Sequence, residues 1–100
     1  MSTPQQKKVD GKTASPYAYP FWDWVAKEEH REMVIIGILA FRGREEGVVT
    51  HMRRAIQHDA TKRELLEAIQ SAAVPGGGPT FSTGVQALMK VERDGAFKKS

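Results

Sequence analysis

Residues Met33 to Phe41, Met-Val-Ile-Ile-Gly-Ile-Leu-Ala-Phe, form an unbroken apolar run, and this run restricts the fold more than any other feature. A segment that is apolar on every side is buried on every side, as a central strand or as a core helix. Length alone leaves both open. A strand needs partners, because a lone two-stranded ladder is marginal in water, and the sequence offers no second strand candidate for it to pair with. Polar helix formers lead into the run. The sequence therefore predicts helix from about Phe21 to Phe41, with room for one break near the acidic segment Lys27-Glu28-Glu29-His30-Arg31-Glu32.

Gly43 punctuates, and the rest of the chain reads as further helices with short links. From Arg44 to His58, Val48, Val49, Met52, Ala55 and Ile56 follow the spacing of one helix face. Asp59-Ala60 is a link. Thr61-Lys62-Arg63-Glu64 has the form of a capping box, in which Thr61 accepts from the Glu64 amide and the Glu64 side chain reaches back. The helix it opens carries Leu65, Leu66, Ala68, Ile69, Ala72 and Ala73, and ends at Val74-Pro75-Gly76-Gly77-Gly78. Pro79 suits the first turn of a last helix with Phe81, Val85, Leu88 and Met89 on one face. Gly84 inside that helix costs roughly 1 kcal/mol relative to alanine, which a close helix contact explains. The fold class is all-α, a small domain of four to five helices.

Pro75-Gly76-Gly77-Gly78-Pro79 has two readings. A glycine-rich loop entering a helix can cradle a phosphate with its amides, but neither a P-loop pattern nor a preceding strand accompanies it. The other reading is a helix stop followed by a sharp turn that lets two helices approach closely.

The chain has 100 residues, 40% of them hydrophobic, enough for one domain. At this size the stability margin is narrow, and burial between subunits widens it. A homo-oligomer is expected. The sequence contains no cysteine, which excludes disulfides, thiolate metal sites and thiol nucleophiles. No apolar stretch approaches the roughly 20 residues that span a bilayer, and the polar start has no signal-peptide core. No membrane role is expected, and the default location is cytoplasmic. Net charge is +3, with part of the excess at the two ends. No basic stripe with interleaved aromatics is present, so nucleic acid is not an expected partner. Residues 1–15 read as a disordered polar tail, 16–95 as the helical domain and 96–100 as a basic C-terminal tail.

Tyr17, Tyr19, Phe21, Trp22 and Trp24 fall within eight positions and make up five of the eight aromatics. Such residues anchor protein contacts. They serve either to dock a protein partner or to cap the protein's own core.

The ordered features are a buried apolar helix, His51-x-x-x-Ala55, the Ala60-Thr61-x-x-Glu64 helix start and Ala72-Ala73-Val74-Pro75-Gly76-Gly77-Gly78-Pro79. In that order and spacing the chain, from about Glu32 to Val91, resembles the carboxymuconolactone decarboxylase family, which includes alkylhydroperoxidase D. The resemblance implies an all-helical domain assembled as trimers or multiples of trimers. In peroxidase members a Cys-x-x-Cys pair precedes the histidine, and a glutamate on the preceding helix completes a proton relay. Matched to His51, the cysteine positions fall on Arg44 and Gly47, and the relay glutamate falls on Glu32. The ends of the relay are thus kept and its redox centre is missing, so thiol peroxidase activity is not expected. Decarboxylase members do not depend on the dithiol.

Helical geometry places residues 44, 47 and 51 on one stripe and aligns Glu32 with Ile36 and Leu39. Glu32, Arg44 and His51 are therefore the candidate site, a polar cluster in which Arg44 pairs with Glu32 and fills the vacated space, or else holds a substrate carboxylate. Blander readings stand beside this one: His51 as a half-buried histidine bonded to a carbonyl, and Glu32 as a carboxylate favoured by the helix dipole. His30 and His58 are expected to face solvent. No spacing assigns a metal, and no cofactor is expected. Two functions follow from different classes. One is a non-redox oligomeric subunit that docks a partner through its aromatic arm. The other is a decarboxylase-type lyase acting on a small carboxylate or lactone, with Glu32 and His51 exchanging protons and Arg44 holding the carboxylate.

Overall fold

The computed structural model describes residues 28–98, together with the backbone of 8–9 and 12–13. Four helices make the fold: α1 (Glu28–Phe41), α2 (Glu45–Gln57), α3 (Lys62–Gly76) and α4 (Gly78–Arg93). The architecture is all-α, as the sequence predicts. The aromatic segment, and the expected helix over 21–27, lie outside the described residues. In the tail, β1 (Lys8–Val9) and β2 (Lys12–Thr13) pair antiparallel, with Lys8 opposite Thr13 and Val9 opposite Lys12. The Asp10-Gly11 dipeptide between them is the composition that favours two-residue hairpin turns.

Three helix ends close with one motif. After α1, the Arg44 amide donates to the Leu39 carbonyl and the Gly43 amide to that of Ala40, the paired bonds of a Schellman cap around a residue at positive φ. The same pairs recur as Ala60 to Ala55 with Asp59 to Ile56, and as Ala96 to Val91 with Gly95 to Glu92. Glycine occupies the positive-φ position at 43 and 95, whereas Asp59 holds φ 72° with a side chain attached. The start of α3 carries the predicted capping box: the Glu64 amide donates to Thr61 Oγ1 (3.1 Å) and the Thr61 amide to Glu64 Oε1 (2.9 Å).

The core is formed where α1 packs on α2 and α3, and α4 on α2 and α3. Ile36, Val48, Met52, Leu65, Ile69 and Val91 are its largest fully buried side chains. Gly84 lies where α4 meets α3, and a Cβ there would come within 2.5 Å of Ile69 Cγ2, so the close contact predicted at this glycine is present. It also corrects the face assigned to α4. The buried stripe is Thr80, Gly84, Ala87, Leu88 and Val91, which leaves Phe81 and Met89 exposed. The stripe must contain the residue of closest approach, and Phe81, Val85 and Met89 lie one position round from it. At the α3–α4 junction, Gly77 takes φ 79° and both caps α3 and precedes α4. A Cβ on Gly76 would collide with Thr80 and Phe41, which supports the close-turn reading of the glycine run.

A second correction concerns α1. Its stripe Glu32, Ile36 and Ala40 is buried, but Val34, Ile38 and Phe41 stand 50%, 54% and 60% exposed. The described helices cover only one side of the apolar run Met33 to Phe41.

Candidate functional site

Glu32 lies early in α1, in line with Ile36 and Ala40, so its carboxylate enters the protein on the core side. His51 lies midway along α2, beside Met52 and one turn from Val48, at the border of the buried face. Packing of α1 on α2 brings the two side chains together: His51 Nδ1 is 2.6 Å from Glu32 Oε1. The Glu32 side chain is 6% exposed and that of His51 21%. Among the described residues this is the hydrogen bond that the Glu32 carboxylate makes. With Glu32 ionised, Nδ1–H donates to Oε1, which sets the ring orientation and leaves Nε2 as the nitrogen able to exchange a proton.

Arg44 stands apart from this pair. It is the residue preceding α2, with φ −93° and ψ 76°, and its backbone is engaged at both ends, the amide with Leu39 and the carbonyl with the Val48 amide. Its side chain is exposed, and no ion pair joins it to Glu32 among the described residues. The Arg44–Glu32 pairing, one of the two readings of Arg44, is therefore absent, and among the described residues the buried carboxylate is matched by His51. The physical reason is that Arg44 does not have helical dihedrals, so its side-chain direction does not follow the stripe defined by Gly47 and His51. Together with Leu39 and Gly47, Arg44 lines a surface recess of about 410 Å³. A Cβ on Gly47 would meet Leu39 Cδ1 at 3.1 Å, so leucine occupies much of the space beside that position.

His30 and His58 are exposed, as expected. Among the described residues no group of three or more histidine, aspartate or glutamate side chains is arranged to hold a metal ion. One polar pairing was not foreseen. Glu29 at the start of α1 and Glu64 at the start of α3 share a side-chain hydrogen bond, which raises the Glu29 carboxyl above its ordinary value. Glu64 is lowered, chiefly by the Thr61 backbone amide of the capping box and then by Glu29. With His30, Glu67 and Ser71 they line a shallow recess between α1 and α3. No local sequence signal joins residues so far apart in the chain.

Comparison with curated proteins and with solved structures gives no match. The profile of the carboxymuconolactone decarboxylase family matches residues 25–90, two-thirds of the chain, beginning seven residues before Glu32. The matched region takes in α1 to α3, most of α4, the Glu32–His51 pair, and the Arg44 and Gly47 positions, and on that breadth the chain belongs to the carboxymuconolactone decarboxylase family.

Proposed function

We propose that the protein is an acid–base lyase of decarboxylase type, acting on a small carboxylated substrate such as an unsaturated lactone acid. The observation that carries this reading is the 2.6 Å bond between Glu32 and His51, with the carboxylate buried and the imidazole partly open to solvent. A general base or acid needs a fixed ring, one nitrogen held by a partner and the other facing the reactant. In the reaction, the bond from the carboxylate to the substrate carbon breaks and carbon dioxide leaves. The electron pair passes into the conjugated carbonyl, and His51 Nε2, loaded with a proton from solvent, delivers that proton to the carbon that lost the carboxylate and is reloaded from solvent before the next turnover. Arg44, exposed at the residue before α2, is the cation this reading assigns to a second carboxylate. The chain supplies no thiol, so peroxide reduction through a sulfenate is outside its chemistry.

Carbon dioxide release from a carboxylated γ-lactone is the assay. His51→Gln lowers turnover by roughly 10²–10⁴-fold with helicity unchanged, whereas Arg44→Ala raises KM more than it lowers kcat. Full activity in His51→Gln, or no release by the wild-type chain across such lactones, would sink the proposal.

A second reading, a non-redox oligomeric subunit, draws support from Val74, Phe81 and Met89, large apolar side chains exposed on α3 and α4. A trimer or a multiple of it buries such residues between copies. Sedimentation at micromolar concentration tests this, and a monomer counts against it.

A further inference from the structure

The side of α1 that the described helices leave open forms one wall of an apolar groove. Met33, Val34, Ile38 and Phe41 line it from α1, and Ala72 and Pro75 from α3, enclosing about 510 Å³ without a charged side chain. That volume lies within the range of roughly 300–1,000 Å³ typical of sites that bury a compact ligand, so there is room for more than one aromatic ring. Ser71 also lines the groove. Pro75, four residues on, has no N–H, so the Ser71 carbonyl lacks its α-helical donor and is a natural acceptor for a ring carrying a polar hydrogen.

We propose that this groove is the seat of the same chain's aromatic segment, Tyr17 to Trp24, folded back along α1. The segment ends four residues before Glu28, where α1 begins, so groove and occupant are covalently joined. Reach permits the contact. Ile38 lies roughly 15 Å and Phe41 roughly 20 Å along the axis from Glu28 at 1.5 Å per residue. An extended chain covers about 3.3–3.6 Å per residue, which carries Trp22 to about 20 Å from Glu28 and Tyr17 to nearly twice that. Proline disfavours the helical conformation in the residue before it, so Pro16 and Pro20 in the sequence favour such a reach.

The chemistry matches as well. Five aromatic side chains need an apolar surface, and the tyrosine hydroxyls and indole N–H groups need an acceptor; the groove offers the first and Ser71 the second. A short tether gives the segment an effective concentration in the millimolar range, far above that of a second copy at micromolar protein. The run Met33 to Phe41 of α1 is apolar all round because it is then covered on both sides: by α2, α3 and α4 on one, and by the segment on the other.

Trp22 and Trp24 are the only tryptophans in the chain, so indole fluorescence reports on this segment and on nothing else. The expected wild-type result is blue-shifted emission and weak quenching by acrylamide, unchanged on hundredfold dilution. Ile38→Glu places a charge in the groove at a half-exposed position. It should shift emission to the red and raise the quenching constant several-fold, towards that of the urea-unfolded chain, while the helical circular dichroism is kept. Val34→Lys, at a second half-exposed position, gives the same readout if Ile38→Glu fails to fold. Solvent-like emission in the wild type overturns the proposal, as does burial that neither substitution disturbs. Burial that disappears on dilution overturns it too, since the groove would then be filled by a second copy.

Discussion

Replacing His51 by leucine takes away the partner of a carboxylate whose side chain is 6% exposed. The buried Glu32 carboxyl is then left without its partner, and breaking a buried pair from one side costs about 3–5 kcal/mol. Small domains have roughly 5–15 kcal/mol in total, so His51→Leu removes a large part of the stability. The double substitution Glu32→Leu/His51→Leu behaves differently. It removes the carboxyl along with its partner and puts an apolar side chain in line with Ile36 and Ala40, and such replacements are often neutral or stabilising by about 1–4 kcal/mol. Urea denaturation at one fixed protein concentration gives the order. With a slope of about 1.5 kcal/mol per molar, the His51→Leu midpoint falls by roughly 2–3 M, and that of the double variant stays at or above wild type. The order matters for function, because a pair that an apolar core can replace without loss is not held by stability alone. A His51→Leu midpoint within roughly 0.5 M of wild type, or a double variant as unstable as the single, would refute the reasoning.

Gly84→Ala gains about 1 kcal/mol of helix propensity but sets a methyl 2.5 Å from Ile69 Cγ2, an overpacking worth about 1–3 kcal/mol. A net loss of roughly 1 kcal/mol in urea denaturation is expected, and a more stable variant would contradict the contact. Asp59→Gly relieves an aspartate at φ 72° and should gain a few tenths to about 1 kcal/mol, read as a melting temperature higher by about 2–6 °C; an unchanged or lower melting point tells against the strain. Glu29 and Glu64 act in opposite directions with pH. The raised Glu29 contributes stability below its unfolded value that is lost as pH rises through its folded value, and the lowered Glu64 contributes stability above its unfolded value that is lost as pH falls through its folded value. Their hydrogen bond is therefore strongest in the acidic window between the two. Glu29→Gln, which donates at every pH, should remove the decline on the alkaline side of that window while leaving the acid limb in place, and a profile parallel to wild type across both limbs would disprove the pairing.

What the sequence made legible was local or periodic. The Thr61–Glu64 box is set by four consecutive residues, and its two bonds are present. Gly84 announced a close approach because nothing else justifies glycine within a helix, yet the same glycine also fixed which face is buried, and the stripe through Phe81 and Met89 ignored it. Glu32 and His51 were named together by the family resemblance, and periodicity supported it: each lies on the core-facing border of its helix, and packing of α1 on α2 brings those borders into contact. Arg44 fails by the same logic, since a helical wheel speaks only for residues with helical dihedrals and Arg44 has ψ 76°. The Glu29–Glu64 bond depends on how two helix starts meet in space. No period within either helix encodes that meeting.

Positions 44 and 47, where the family resemblance would put a cysteine pair, are held in this chain by the backbone and by packing. At Arg44 the backbone closes the Schellman cap of α1 through its amide and accepts the first-turn bond of α2 through its carbonyl, so the position serves the turn between two helices whatever its side chain. At Gly47 the room for a side chain is largely taken by Leu39. Neither position supplies a nucleophile, and the buried glutamate and its histidine remain bonded at 2.6 Å without them. A carboxylate–imidazole pair with no adjacent thiol can still move a proton, and proton transfer to carbon needs no further group from the protein beyond one that holds the substrate in place. Under the proposed function the chemistry of this site is acid–base, and the bonded Glu32–His51 pair is what carries it without a thiol.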